Sequence, residues 1–456
     1  MKILILGAGQ VGRTVARHFS REEANDVTVV DNDEDVLRDL QDRLDVHTVV
    51  GNAAYPSVLQ AAGAAEADIL VALTNSDEVN MMACEVAFWQ FRTPTKIARI
   101  RSSEYTGRPQ LFSEQAIAVD VFISPEQLVT EYIERLIHNP GALQVLEFAA
   151  GRVRLAGVRA ARGAPLIGHS LRELPEHLEE VETRVVAIYR GGRSVHPDGD
   201  TVIEEGDEVF FLAARDHVHR VIAELRKEDT RVRRVMIAGG GNIGLRLARA
   251  LEPSTQIKLI EHDARRARLV SEQLQNAIVL CGDAADEELL IEENIDSTDV
   301  FAAVTNSEEA NILSAMLAKR LGARKVMALV NRPSYADLAE STSIDVAIAP
   351  QTITIGSLLA HVRRGEVVRV HSLRRGAVEA IEAIARGEEV SSRVVGRMVG
   401  EIALPEGAAI GALVRGEEVI IAHHDTRVRS NDHLIVFLSD RRHIEAVERL
   451  FTRAAP

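Results

Sequence analysis

Two glycine strings in this 456-residue chain have the spacing that lets a main chain hold a phosphate group. They are Gly7-Ala8-Gly9-Gln10-Val11-Gly12 and Gly239-Gly240-Gly241-Asn242-Ile243-Gly244. Each follows a short apolar run, Ile3-Leu4-Ile5-Leu6 or Val235-Met236-Ile237-Ala238, and each opens a helical pattern. In such a string the first glycine makes a tight turn, the second leaves room for a pyrophosphate, and the third lets the helix pack on the strand. The helix start then offers backbone N–H groups and partial positive charge to the anion. An acid closes the next apolar run in each half: Asp31 after Val27-Thr28-Val29-Val30, and Glu261 after Ile257-Lys258-Leu259-Ile260. A carboxylate there accepts hydrogen bonds from ribose hydroxyls and repels a 2′-phosphate, which favours NAD over NADP. ATP or ADP satisfies the same acid, because the adenosine half is identical.

Further polar residues fall where a doubly wound sheet holds ligand, beyond the carboxyl ends of its strands. Thr74-Asn75 and Thr305-Asn306 follow the fourth strand of each half. They can reach a second ribose or phosphate, or cap the next helix, and the two roles are compatible. Arg99 and Arg101 alternate along the fifth strand, so one of them can face the ligand. The second half has Leu329 and Asn331 near there, without an arginine. No acid/base constellation accompanies these residues, as an oxidoreductase would require. His423-His424-Asp425 has no equivalent in the first half and reads as a solvated loop, and no cysteine or histidine pair has zinc-ligand spacing.

The elements that must position these residues repeat. Gly51-Asn52-Ala53-Ala54 answers to Gly282-Asp283-Ala284-Ala285, and Leu73-Thr74-Asn75-Ser76-Asp77-Glu78 to Val304-Thr305-Asn306-Ser307-Glu308-Glu309. Near-constant spacing between motifs argues duplication. Within each half, strands and helices alternate, which predicts a parallel sheet covered on both faces. In the first half the strands are expected near residues 2–6, 26–30, 46–50, 68–73, 96–100 and 119–123. A helix follows Pro125 with a wide apolar stripe through Leu128, Tyr132 and Leu136, and a looser one follows Pro350. The stripe suits packing on its own domain or a subunit interface, and the second option predicts a homo-oligomer, a dimer or tetramer. Periodicity changes after about residue 145. Hairpin signals at 187–192, 209–212, 419–422 and 434–438, each set closed by a short amphipathic helix near 216–226 or 441–451, predict small α+β domains. The charged stretch 226–231 is the expected boundary between halves, and hinges are expected near 138–145 and 363–367.

The formal charge of −15 argues against nonspecific nucleic-acid binding. Cys84 and Cys281, the only two cysteines, predict no structural disulfide. No apolar run approaches the roughly 20 residues of a membrane span. These features predict a cytoplasmic protein.

Two Rossmann-type domains in tandem, each carrying Gly-x-Gly-x-x-Gly, Gly-(Asn/Asp)-Ala and Thr-Asn-Ser, and each followed by a small module with a Glu-Gly-Asp-Glu-Val-like hairpin, resemble the tandem RCK (regulator of potassium conductance, or KTN) proteins. The resemblance covers roughly residues 2–451. It implies an α/β chain of two Rossmann-type doubly wound parallel-sheet domains, each followed by a small α+β RCK C-terminal domain. The corresponding segments are 1–124, a connecting helix 125–141, 142–226, then 232–349, a helix 350–366, and 367–453. It further implies a non-enzymatic peripheral subunit on the inner face of the cell membrane, bound to a membrane-embedded potassium transport subunit and regulated by NAD or NADH, or by ATP or ADP. Carried over by position, the ligand residues are Gly7 to Gly12, Asp31, Thr74, Asn75 and Arg99, and Gly239 to Gly244, Glu261, Thr305 and Asn306. The competing reading is a duplicated NAD-dependent oxidoreductase.

Overall fold

The computed structural model describes residues 1–21, 25–112, 116–226, 231–332, 335–336, 338–339, 343–362, 366–373 and 378–452. Within these the chain forms two compact units, Met1–Val129 with Pro350–Leu358, and Thr130–Ala349 with Leu359–Pro456.

In the first unit, six short strands form one parallel sheet: β1 (Lys2–Leu6), β2 (Asp26–Asp31), β3 (His47–Val50), β4 (Ile69–Ala72), β5 (Thr95–Arg99) and β6 (Val121–Ile123). Their order is β3-β2-β1-β4-β5-β6, so the direction of winding reverses between β1 and β4. A parallel sheet covered on both faces needs apolar residues throughout its central strands. Accordingly Leu4, Ile5, Leu6, Leu70, Val71 and Ala72 are at most 1% exposed. The expected strands all occur, each within about two residues of its predicted ends. The opening of the helix Pro350–Val362 belongs with this unit, where the Thr14 hydroxyl donates to Gln351 Oε1 at 2.9 Å. Sequence spacing, which tied that helix to the second half, gives no sign of this.

The second unit repeats the parallel sheet with β12 (Arg234–Ala238), β13 (Gln256–Glu261), β14 (Ile278–Cys281), β15 (Val300–Ala303), β16 (Lys325–Leu329) and β17 (Val346–Ile348). Their order is β14-β13-β12-β15-β16-β17, the same winding as in the first unit.

The small modules are five-stranded antiparallel sheets. One holds β7 (Ala142–Phe148), β8 (Val153–Arg159), β9 (Thr183–Arg190), β10 (Arg193–Val195) and β11 (Glu208–Ala214), in the order β10-β9-β11-β8-β7. The other holds β18 (Val367–Leu373), β19 (Val378–Ile384), β20 (Ala408–Arg415), β21 (Glu418–Ile421) and β22 (His433–Leu438), in the order β18-β19-β22-β20-β21. The two sheets share one core: Phe148, Leu155, Phe210 and Leu212 pack with Leu373, Val414, Ile435 and Phe437. Polar cross-links reinforce it. Arg184 donates to the Ala422 carbonyl at 2.7 Å, and Glu382 Oε2 accepts from the Ala149 amide at 3.0 Å. The predicted hairpins are present, and the sequence reading missed the opening pairs β7-β8 and β18-β19.

The stripe after Pro125 forms the helix Pro125–His138. Val129, Ile133, Leu136 and Ile137 on it are at most 2% exposed within a single chain. Of the three residues that carry the interface reading, Leu136 is buried within the chain, whereas Leu128 and Tyr132 are half-buried. Residues 227–230 of the expected boundary and 363–365 of the expected second hinge lie outside the described residues.

Candidate functional site

The turn after β1 is built from glycines with different duties. Gly7 has φ +101°, and a Cβ there would lie 2.9 Å from the backbone of Leu73 and Thr74 at the end of β4. A Cβ on Gly12 would lie 1.9 Å from the Gly7 carbonyl oxygen. Both glycines are therefore demanded by the fold itself. Gly239 and Gly244 repeat this, with φ +108° and a Cβ-to-oxygen approach of 1.9 Å.

Gly9 and Gly241 are different. Each sits before its helix, Gln10–Phe19 or Asn242–Leu251, in ordinary extended geometry near φ −67°. A Cβ on either meets nothing within 4 Å. Neither gives its helix a side-chain cap, although serine or aspartate there would. Nothing in the chain requires glycine at these positions. The open cradle in front of two uncapped helix starts fits a pyrophosphate, which needs the main chain to come close and its N–H groups to stay unpaired. Gly9 and Gln10 lie exposed at this mouth, with Val11 half-buried behind them; in the second half Asn242 is exposed and Gly241 and Ile243 are half-buried.

The acids stand beside the turns. Asp31 Oδ2 accepts from the Ala8 amide at 2.5 Å and Oδ1 from the Asp33 amide at 3.0 Å. Glu261 Oε2 accepts from the Gly240 amide at 2.8 Å and Oε1 from the Asp263 amide at 3.0 Å. For Glu261, burial opposes the charge, but the amides of Asp263 and Gly240 and the His262 ring outweigh it and hold the carboxyl below its usual range. In both sites an arginine Nε holds the turn carbonyl at 2.9 Å: Arg13 on Ala8, and Arg266 on Gly240. Sequence reading missed both, because Arg13 comes from the helix after the turn and Arg266 from the helix after the acid.

The Thr-Asn positions divide their roles. The Thr74 hydroxyl donates to Asn80 Oδ1 at 2.7 Å, and Asn80 Nδ2 donates to the Arg99 carbonyl at 2.9 Å. Thr305 and Asn311 repeat this at 2.7 Å, with Nδ2 on the Leu329 carbonyl at 3.0 Å. These wholly buried asparagines pin the turn after the fourth strand to the end of the fifth. They lie six residues beyond each threonine, a signal the repeat comparison contained. The caps are Ser76 and Ser307, which accept from Val79 and Ala310, while Asn75 and Asn306 stay exposed.

Arg99 ends β5 and pairs with Glu126 at 3.1 Å, and its buried Nε has no hydrogen-bond partner. Such an orphaned donor on the ligand side of the sheet also fits an anionic ligand. Arg101 lies beyond the strand against Asp77 at 3.4 Å. In the second half Arg332, one place past Asn331, takes the Arg101 role: it lies 3.6 Å from Glu308, the residue matching Asp77. Arg99 itself has only Leu329 as its counterpart.

Among the described residues no group of histidine, cysteine and carboxylate side chains could hold a metal ion, and no helix is long and apolar enough to cross a membrane. Cys84 and Cys281 are both free.

The TrkA-N domain matches residues 3–125 and 235–350, and the TrkA-C domain matches residues 155–226 and 388–452. The Trk system potassium uptake protein TrkA of Halomonas elongata is 58% identical over 451 residues, covering 99% of this chain and 98% of that one. The TrkA protein of Vibrio alginolyticus is 56% identical, with 99% and 98% covered. A TrkA homolog of Archaeoglobus fulgidus is 34% identical, with 99% and 100% covered. Among solved structures, the GsuK RCK domain aligns at TM-score 0.63 with 18% identity, covering 99% of this chain and 94% of that one. A GsuK channel bound to NAD aligns at TM-score 0.62, also at 18% identity, covering 99% and 78%. These two establish a common fold. Matched domains in both halves, and full-length relatives at such identity, place the chain in the TrkA family of potassium uptake proteins, which are not enzymes.

Proposed function

We propose that the chain is a cytoplasmic nucleotide-sensing regulatory subunit of a potassium uptake transporter, peripheral on the inner face of the cell membrane and assembled as a homo-oligomer on a membrane-embedded subunit. The observation that carries nucleotide sensing is the pair of glycines, Gly9 and Gly241, that no contact within the chain requires. The amides at the starts of the helices Gln10–Phe19 and Asn242–Leu251 hold the pyrophosphate of NAD or NADH, or the phosphates of ATP or ADP. Asp31 and Glu261 receive the ribose hydroxyls with lone pairs left over from their backbone bonds. The potassium role rests on the TrkA relatives.

The mechanism is linkage. Nucleotide biases the transporter only by binding one arrangement of the Rossmann-type domains better than another. Each tenfold difference in affinity supplies about 1.4 kcal/mol of bias. The oxidoreductase reading has no observation in its favour. Beyond the carboxyl ends of β4 and β5, Thr74 is engaged by Asn80 and Arg101 by Asp77 in pinning loops.

Potassium flux into liposomes holding the membrane subunit tests this reading. Flux should respond to the added chain and to nucleotide, and Gly9→Val with Gly241→Val should keep the association but remove the nucleotide response. Flux indifferent to both chain and nucleotide sinks the reading.

A further inference from the structure

The two candidate sites differ at the edge where the ribose would lie. Their helix caps align them. Asp33 Oδ1 accepts from the Val36 amide at 3.2 Å, and Asp263 Oδ1 accepts from the Arg266 amide at 2.7 Å. Arg266 therefore stands where the first site has Val36, and Arg265 where it has Asp35. The first edge is a run of carboxylates, Asp31, Asp33, Glu34 and Asp35. Its cation, Arg38, is committed to Glu34 at 2.5 Å and Asp35 at 3.4 Å. The second edge carries His262, Arg265 and Arg266 around Glu261 and Asp263.

The acid itself is also withdrawn in the second site. Glu261 is one methylene longer than Asp31 and reaches under the turn. A Cβ on Gly240 would lie 3.1 Å from its Oε2, so the glycine makes room for the longer carboxylate, where the first site has Ala8 over Asp31. Glu261 is 9% exposed, and the His262 ring lies 3.0 Å from its Oε1. Arg266 is fastened by Nε to the Gly240 carbonyl, and among the described residues no carboxylate pairs with it. Arg13, which fastens the first turn, lies 3.8 Å from Asp39.

We infer that the second site accepts an adenine nucleotide with an additional phosphate at its ribose edge, while the first site admits only one with free ribose hydroxyls. The inference rests on the nucleotide-binding reading above. An arginine beside the acid is how a Rossmann-type site accommodates a 2′-phosphate, and a guanidinium without a carboxylate partner keeps its fork for phosphate oxygens. Four clustered carboxylates at the first edge repel the same group.

Calorimetry with NAD and NADP as probes tests it on the full chain with one site blocked. In Gly9→Val, which leaves the second site, NADP should bind within about threefold of NAD, whereas in Gly241→Val it should bind at least about tenfold more weakly. Adding Arg265→Asp and Arg266→Val to Gly9→Val installs the residues the first site carries at those positions. That change should weaken NADP at least about tenfold more than it weakens NAD. As a check free of blocking substitutions, the wild-type chain should bind half as much NADP as NAD at saturation. Equal rejection of NADP by both sites, with NAD still bound, overturns the inference and leaves nucleotide sensing intact. Binding of neither probe at either site overturns both.

Discussion

At the scale of single residues, glycines that look alike in sequence act differently. Gly12 and Gly244 are required by close packing, Gly7 and Gly239 by positive φ, and Gly9 and Gly241 by neither. This separates stability from binding. Gly12→Ala forces a methyl into the Gly7 carbonyl and should destabilise its domain by about 1–3 kcal/mol or more. Gly9→Ser should leave the melting temperature equal or slightly raised, since serine is a good helix cap and its Cβ meets nothing. It should nonetheless weaken nucleotide binding, because the side chain enters the phosphate cradle. Thermal melts paired with calorimetry read both effects. A Gly9→Ser chain that loses stability as Gly12→Ala does would show that Gly9 serves the fold. The glycine strings and the acids were legible as motifs. Asn80 and Asn311 carry only the repeated six-residue offset from their threonines as a signal; the bonds of Asn80 to three backbone groups have no periodicity to betray them.

At the scale of elements, periodicity located the strands and helices, but it left open what covers an apolar face. The helix Pro125–His138 shows why. Its stripe reads equally well as an interface or as core, because a 3.6-residue period reports only that something apolar lies opposite. The structure buries Leu136 within the chain and leaves Leu128 and Tyr132 half-buried. Leu136→Ala should then cost about 2–5 kcal/mol, as a cavity in a packed core does. The loss should be the same at every protein concentration in denaturation experiments. A loss that shrinks as the protein is concentrated would place Leu136 at an interface between copies.

At the scale of the whole molecule, duplication gives two small modules whose sheets pack face to face in one core. The fit is close: a Cβ on Gly411 would lie 2.5 Å from the Phe437 ring and 2.6 Å from Leu212 Cδ1. Neither half buries that face alone. A chain ending at residue 226 exposes Phe148, Leu155, Phe210 and Leu212 together, a patch that leads to association. It should aggregate or self-pair in light scattering, and co-expression with residues 232–456 should return a soluble one-to-one complex. A half-chain that stays monomeric and folded would show that the shared core is dispensable.

The amino-acid sequence by itself determined the duplication, the parallel sheets, the two glycine turns with their acids, and the family. These are local signals, carried by residue types at short fixed spacings. Tertiary structure alone decided which glycines serve the fold and which leave open space, and that Arg13 and Arg266 fasten the two turns from different helices. It alone showed that Arg332 replaces Arg101 one place further on, that Gly240 makes room for Glu261, and that the helix after Pro350 opens in the first unit. Each of these depends on side chains brought together across more than one element, and sequence spacing does not encode which distant surfaces meet.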